Sequence, residues 1–316
     1  MTSRARSAVL AAGLGSCLVA CTACRAASTS GPSSGPSSGG ATSSEGGSAA
    51  AASSGVPCGP LGCMQFDSPR DAFLQALAAA GDPLVLGLGE AHAPKGATVA
   101  SAARRFTGEL LPALAGRASD LLLELMMPPG GCADAVAEVR REQEPVTERH
   151  AEADADEYVV LGEHARTLGI VPDMLRPTCA DMDAIEHAGA DVIDLSLTTI
   201  ARLSGAQAAR LADRDALSDA DRGKIVLLYG GALHNDLSPP PESARWSYAP
   251  ALDAHVGGRF AAIDLVVPEF IGLDATWARL PWWPYYDKGR LGRKATLFRT
   301  GPQSFVLVFP AAAPSP

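Results

Sequence analysis

The sequence predicts an α/β domain: a mainly parallel sheet with helices on both faces, a ligand site at the carboxyl ends of its strands, and a C-terminal β-hairpin. Three observations predict it. Short apolar segments, PLVLGLG, DLLLELM and KIVLLY, read as strands buried on both faces. Segments of helical spacing separate them, the alternation that builds a parallel sheet. Residues 58–316 are long enough for one large core.

In chain order, residues 72–80 read as a helix and 83–89 as a strand ending in glycine. Helical spacing covers 95–114, and 120–126 is the second strand. Pro128-Pro129-Gly130-Gly131 breaks the chain. An acidic amphipathic helix is expected over 151–168, stopped by Gly169, with a strand at 170–175. A helix over 191–211, strands at 224–229 and 260–267, and a hairpin over 296–309 around Gly301-Pro302 complete the pattern.

The first 57 residues read as export and tether. Arg4 and Arg6 precede an apolar run over 8–20 that is shorter than the ~20 residues needed to span a bilayer. It suits a signal peptide over 1–20. Leu18-Val19-Ala20-Cys21 resembles the lipobox of bacterial lipoproteins, which implies cleavage before Cys21 and lipidation, including palmitate, of its thiol. An ordinary secretory cleavage near Ala20 is the alternative. Leu14-Gly15-Ser16-Cys17 is a weaker lipobox. Residues 25–57 are nearly all Ser, Gly, Ala, Thr and Pro, too apolar-poor to offset the entropy of ordering, so 21–57 is expected to be a lipidated cysteine on a disordered tether. The expected location is the cell envelope, with the membrane engaged only through Cys21. Thr22, rather than an acidic residue, resembles outer-membrane lipoproteins.

The net charge is −9, and loss of Arg4 and Arg6 with the signal leaves −11. That excludes nucleic acid as a partner and a broad contact with anionic lipid. A small molecule or peptide remains as ligand. Cys58, Cys63, Cys132 and Cys179 would lie in an oxidising compartment, where disulfides persist. Cys58 and Cys63 are placed to close a small loop. Cys132 and Cys179 each follow an expected strand. The four allow three connectivities, and spacing does not choose among them.

Chemistry gathers at strand ends. The first strand runs into Gly89-Glu90-Ala91-His92, and the late strand into Gly231-Ala232-Leu233-His234. Both are Gly-x-x-His. Glu124 sits inside a leucine run, where a carboxylate is costly unless paired, hydrogen-bonded or metal-bound. Arg104 or Arg105 could be its structural partner. Two imidazoles and one or two carboxylates make a divalent-metal site with positions left for water. His92, His234, Glu90 and Glu124 are therefore candidate metal ligands and catalytic groups, with a carboxylate outside the ligand set acting as general base. Each histidine alone could equally be a satisfied loop residue. Gly87-x-Gly89-x-x-His92 has the opening of a dinucleotide fingerprint but lacks its third glycine. The domain has no GxSxG elbow and no HExxH motif.

LGLGEAH, LLLELM and IVLLYGGALH together resemble the superfamily of ChaN-type haem-binding lipoproteins, TraB/Tiki proteins and erythromycin esterase-like enzymes. The resemblance implies a GExH motif after the first strand, a glutamate in the second and a late GxxH. Those fall on Glu90 and His92, on Glu124, and on His234. It implies a hydrolase-type site or, on the ChaN branch, a haem- or iron-binding lipoprotein without turnover. No second histidine follows GEAH, since Ala93-Pro94-Lys95-Gly96 comes next, so branch-specific haem ligands do not carry over. A scaffold that has lost its chemistry is the third possibility.

The remaining features are weaker. Pro281-Trp282-Trp283-Pro284-Tyr285-Tyr286 is either a lid over the crevice or a packed covering loop. Asp181 and Asp183 either reach the site or cap a helix. His150, His164, His187 and His255 read as surface residues. Met126 and Met127 read as core, with an apolar pocket lining as the alternative.

Overall fold

A computed structural model describes residues 55–128, 132, 154–273 and 275–312. The signal peptide, Cys21, the tether up to residue 54, Pro129 to Gly131 and His150 lie outside the described residues.

The nine strands of one mixed sheet are β1 (Val56–Gly59), β2 (Cys63–Phe66), β3 (Val85–Glu90), β4 (Ala118–Met126), β5 (Val171–Leu175), β6 (Ile225–Gly231), β7 (Phe260–Val266), β8 (Ala295–Arg299) and β9 (Ser304–Val308). Their order is β1-β2-β8-β9-β7-β3-β6-β4-β5. From β9 to β5 every neighbouring pair is parallel. The pairs β1/β2, β2/β8 and β8/β9 are antiparallel. Sequence and structure agree on the α/β class and on the C-terminal hairpin, β8/β9. The β1/β2 hairpin was not expected; its strands are only four residues long, and β1 carries a proline and a glycine.

The helices are α1 (Pro69–Ala80), α2 (Ala102–Arg105), α3 (Asp154–Thr167), α4 (Cys179–Glu186), α5 (Val192–Leu217), α6 (Ala249–His255), α7 (Ala275–Ala278) and α8 (Lys288–Leu291). Ser68 caps α1 by accepting from the Asp71 N–H, and Gly81 ends it in the left-handed conformation. Two expectations are corrected. The helix expected over 95–114 begins only at Ala102, where Ser101 caps it, and continues as a π turn over Phe106–Leu110 and a 3-10 turn over Leu111–Leu114. Gly96 takes a positive φ of 79°, which a helix cannot accommodate, so the chain from His92 onward stays a loop. The helix expected to stop at 211 runs to Leu217, because Leu211 and Asp215 continue its buried stripe.

Side-chain alternation splits the core in two. Leu86, Leu88, Leu121, Leu123, Leu227, Tyr229 and Ile263 face α1, Phe106 and α3. Val85, Leu122, Val226, Leu228, Phe260 and Ala262 face α5 and α6. With a period of two along each strand, Glu90 continues the first face and Glu124 the second. The two carboxylates therefore leave the sheet on opposite sides.

Both cysteine pairs form disulfides, Cys58–Cys63 and Cys132–Cys179. That selects one of the three connectivities. The second bridge ties the segment after β4 to the first residue of α4.

Candidate functional site

β3, β6 and β7 are parallel and in register, Glu90 beside Gly231 and Leu265. Their carboxyl ends therefore open on one edge of the sheet, where open α/β sheets place ligands. β4 ends on the same edge beside β6.

Glu90 is buried and its carboxylate is fully used. Oε1 accepts from the Tyr158 hydroxyl at 2.9 Å and faces His92 Nδ1 at 3.0 Å. Oε2 accepts from the Tyr229 hydroxyl at 2.6 Å. Burial, then the charge of Glu90, push the Tyr229 phenol well above its ordinary range, so it stays a donor. A carboxylate can only accept, so His92 carries its proton on Nδ1 and keeps the lone pair on Nε2. This is a base oriented by a third group.

Glu124 takes the Gly231 N–H on Oε2 at 2.7 Å. Its Oε1 lies 3.5 Å from His234 Nε2. His234 is buried, and its Nδ1 donates to the Trp246 carbonyl at 2.6 Å. The other nitrogen thus bears a proton only in the imidazolium form. Burial raises the Glu124 pKa, but the hydrogen bond and charge of His234, the charge of His92 and the Gly231 N–H outweigh it and leave it lowered. Burial lowers His234, but Glu124 and the Trp246 carbonyl outweigh it and leave it raised. Both shifts favour the ion pair.

The groups converge beside Gly231. A Cβ placed on Gly231 would stand 3.8 Å from Glu124 Oε2, 3.8 Å from His234 Cδ2 and 3.9 Å from His92 Nε2. Although Glu90 and Glu124 leave opposite faces, His92 curls around the strand end and brings the Glu90 side to the Glu124 side. Next door the fit is tighter and requires glycine: a Cβ on Gly230 would overlap Glu124 Oε2. All four residues expected from the sequence thus reach this edge, Glu90 behind His92 rather than at the centre. Among the described residues, no group of three or more His, Cys, Asp or Glu is arranged to hold a metal ion.

Sequence reasoning missed Tyr158 and Tyr229. Tyr229 ends an apolar strand and read as core; its hydroxyl gives no pattern in sequence. Neither arginine proposed for Glu124 reaches it. Arg105 instead pairs with Glu109, donates to the Pro310 carbonyl and stacks on Phe309. Asp181 caps α4 through a reciprocal box with Thr178, so the capping alternative holds for it. Trp282 is buried and stacks on Phe298, so that stretch is a packed covering loop, with Tyr285 exposed. His187 and His255 are on the surface and His164 is half-buried. Met126 packs against the second core, whereas Met127 is exposed.

No family model matches the chain, and no curated protein matches it. Among solved structures, an erythromycin esterase variant in its open conformation is similar at 10% identity, over 77% of this chain and 94% of that chain, with a TM-score of 0.39.

Proposed function

We propose that this chain is an exported hydrolase that cleaves an ester or related acyl bond in a small molecule or peptide. The convergence of His92 Nε2, Glu124 and His234 beside Gly231 carries the reading. His92, held by Glu90, takes a proton from water, and the oxygen attacks the substrate's carbonyl carbon. Protonated His234, held by Glu124 and the Trp246 carbonyl, gives its Nε2 proton to the leaving group. Such paired acid and base groups contribute on the order of 10² to 10⁴-fold each.

The metal-dependent form of this proposal uses the same residues. Imidazoles whose Nδ1 is tied to a carboxylate or carbonyl are the kind that bind divalent metals through Nε2. As they stand these residues do not form a three-ligand site, so this form requires His92, His234 and Glu124 to draw together around an ion, which would supply a water of lowered pKa. A haem-binding role is the non-enzymatic alternative. Attachment through a lipidated Cys21, with the outer membrane as its place, rests on the lipobox and Thr22. No helix among the described residues is long and apolar enough to cross a membrane.

The deciding experiment is an ester-library screen of the full chain and the His92→Ala and His234→Ala variants, with metal content by mass spectrometry. Turnover lost in both variants supports the hydrolase. Metal at one per chain, lost in the same variants, selects the metal-dependent form. Absence of turnover together with a Soret shift on hemin titration overturns the hydrolase in favour of haem binding.

A further inference from the structure

One short segment of chain holds His234 at both its side chain and its backbone. The imidazole Nδ1 donates to the Trp246 carbonyl at 2.6 Å. The His234 carbonyl accepts from the Tyr248 N–H at 3.0 Å and from the Ser247 hydroxyl at 3.1 Å. The Trp246 carbonyl is therefore the atom that decides which ring nitrogen bears the proton and where Nε2 points. It can do so only if its own position is fixed.

Downstream, Ser247 and Tyr248 lead into α6, which packs on the second core through Leu252. Upstream, the carbonyl belongs to the 3-10 turn Ala244–Trp246, in which no residue is buried. That turn is tied to α5 by Asp194, 52 residues from Trp246 in sequence. Asp194 Oδ1 accepts from the Trp246 indole N–H at 2.7 Å and from Arg245 Nε at 2.7 Å. Arg245 also donates to the Glu242 carbonyl at 3.0 Å and lies 5.1 Å above the Trp246 ring. Indole and guanidinium thus close on one carboxylate oxygen. The hydrogen bond from Arg245, then that from Trp246, hold the Asp194 carboxyl below its ordinary range, so the acceptor is charged near neutral pH. Asp194 lies in the first turn of α5, where the helix dipole favours an acid. The dipole does not account for an oxygen that takes two donors from a distant turn.

We propose that Asp194 is a positioning residue for His234: by anchoring the Trp246 turn to α5 it fixes the carbonyl that keeps the His234 proton on Nδ1 and leaves Nε2 for Glu124 and the crevice. Without Asp194 Oδ1 the indole and Arg245 turn to water and the turn loosens. The proton is then shared with Nε2, where Glu124 offers a competing acceptor 3.5 Å away. The consequence for turnover rests on the hydrolase reading, but the effect on the imidazole does not. Both forms of that reading need the Nδ1 proton held in place.

The test is the tautomer of His234, read from its imidazole nitrogen shifts in the nitrogen-15 spectrum of the labelled full chain at pH 9 with a chelator present. The signals are assigned by their loss in His234→Ala. The wild type should show a proton-bearing Nδ1 and a lone-pair Nε2. In Asp194→Ala the two resonances should move toward each other. Asp194→Asn keeps an oxygen acceptor at the same place and should retain the wild-type signature. Should Asp194→Ala fail to fold, Trp246→Phe, which keeps a ring and removes the indole donor, should give the same shift. An unchanged signature in the alanine variant overturns the proposal, and so does a shift that persists in Asp194→Asn. In a screen that finds a substrate, kcat of Asp194→Ala should fall with KM unchanged, and Asp194→Asn should restore it. A tautomer shift without any turnover would support the anchor and count against the hydrolase.

Discussion

Oε1 of Glu90 stands 3.0 Å from Nδ1 of His92, only two residues along the chain, yet the two side chains belong to different surroundings. Glu90 is 5% exposed and held by two tyrosine hydroxyls, whereas the His92 side chain is 28% exposed at the crevice. A buried acceptor thus fixes the tautomer of a reachable imidazole. His92→Ala should abolish hydrolysis. Glu90→Gln should lower kcat on the order of 10² to 10⁴-fold, because it removes the charge that favours the imidazolium. Steady-state kinetics with circular dichroism as a folding control would check both.

The two partners of Glu90 give a stability prediction. Tyr229→Phe leaves Oε2 of a buried carboxylate without a donor. The expected loss is about 1–3 kcal/mol, and it should exceed that of Tyr158→Phe, which leaves His92 on the same oxygen. Denaturant unfolding of the two variants would measure the difference.

The Glu124–His234 pair fixes a pH window. The lowered folded pKa of Glu124 means its contribution is complete above the ordinary value of 4.5 and is lost as pH falls through the folded value. The raised folded pKa of His234 means its contribution is complete below 6.5 and is lost as pH rises through the folded value. The Tm difference between wild type and His234→Ala should therefore be largest between these two values and shrink on either side. Thermal melts from pH 3 to 9 would show it.

Gly230→Ala tests the close approach at the centre. Its new Cβ would overlap Glu124 Oε2, displacing the carboxylate from the Gly231 N–H and from His234. The expected cost is about 1–3 kcal/mol of stability, with loss of turnover. Normal activity in this variant would mean that Glu124 is not held as described.

The Cys132–Cys179 bridge spans a sequence separation of 47. Replacing both cysteines by serine should cost about 4 kcal/mol by the loop-entropy relation. Removing Cys58–Cys63, which spans only 5, should cost less. Melts of the two double variants would rank them.

What the sequence determined by itself was the local pattern and its consequences. Apolar runs at 83–89, 120–126 and 224–229 announce buried strands because parallel sheets are covered on both faces. A glutamate among leucines announces a partner because burial of a lone charge is costly. The repeated Gly-x-x-His marks strand ends, since glycine there lets side chains approach the backbone. Such signals found Glu90, His92, Glu124 and His234. Tertiary structure decided the rest, because distance across a sheet is not written in spacing. Strand order placed Gly89 between Gly230 and Asp264, which are neighbours only in the fold. Only there do Asp264 and Asn235, distant in the sequence, both close over Gly89. Alternation sent Glu90 and Glu124 to opposite faces, so one supports His92 from behind while the other faces His234. The cysteine pairing, too, depended on which loops the sheet brought together.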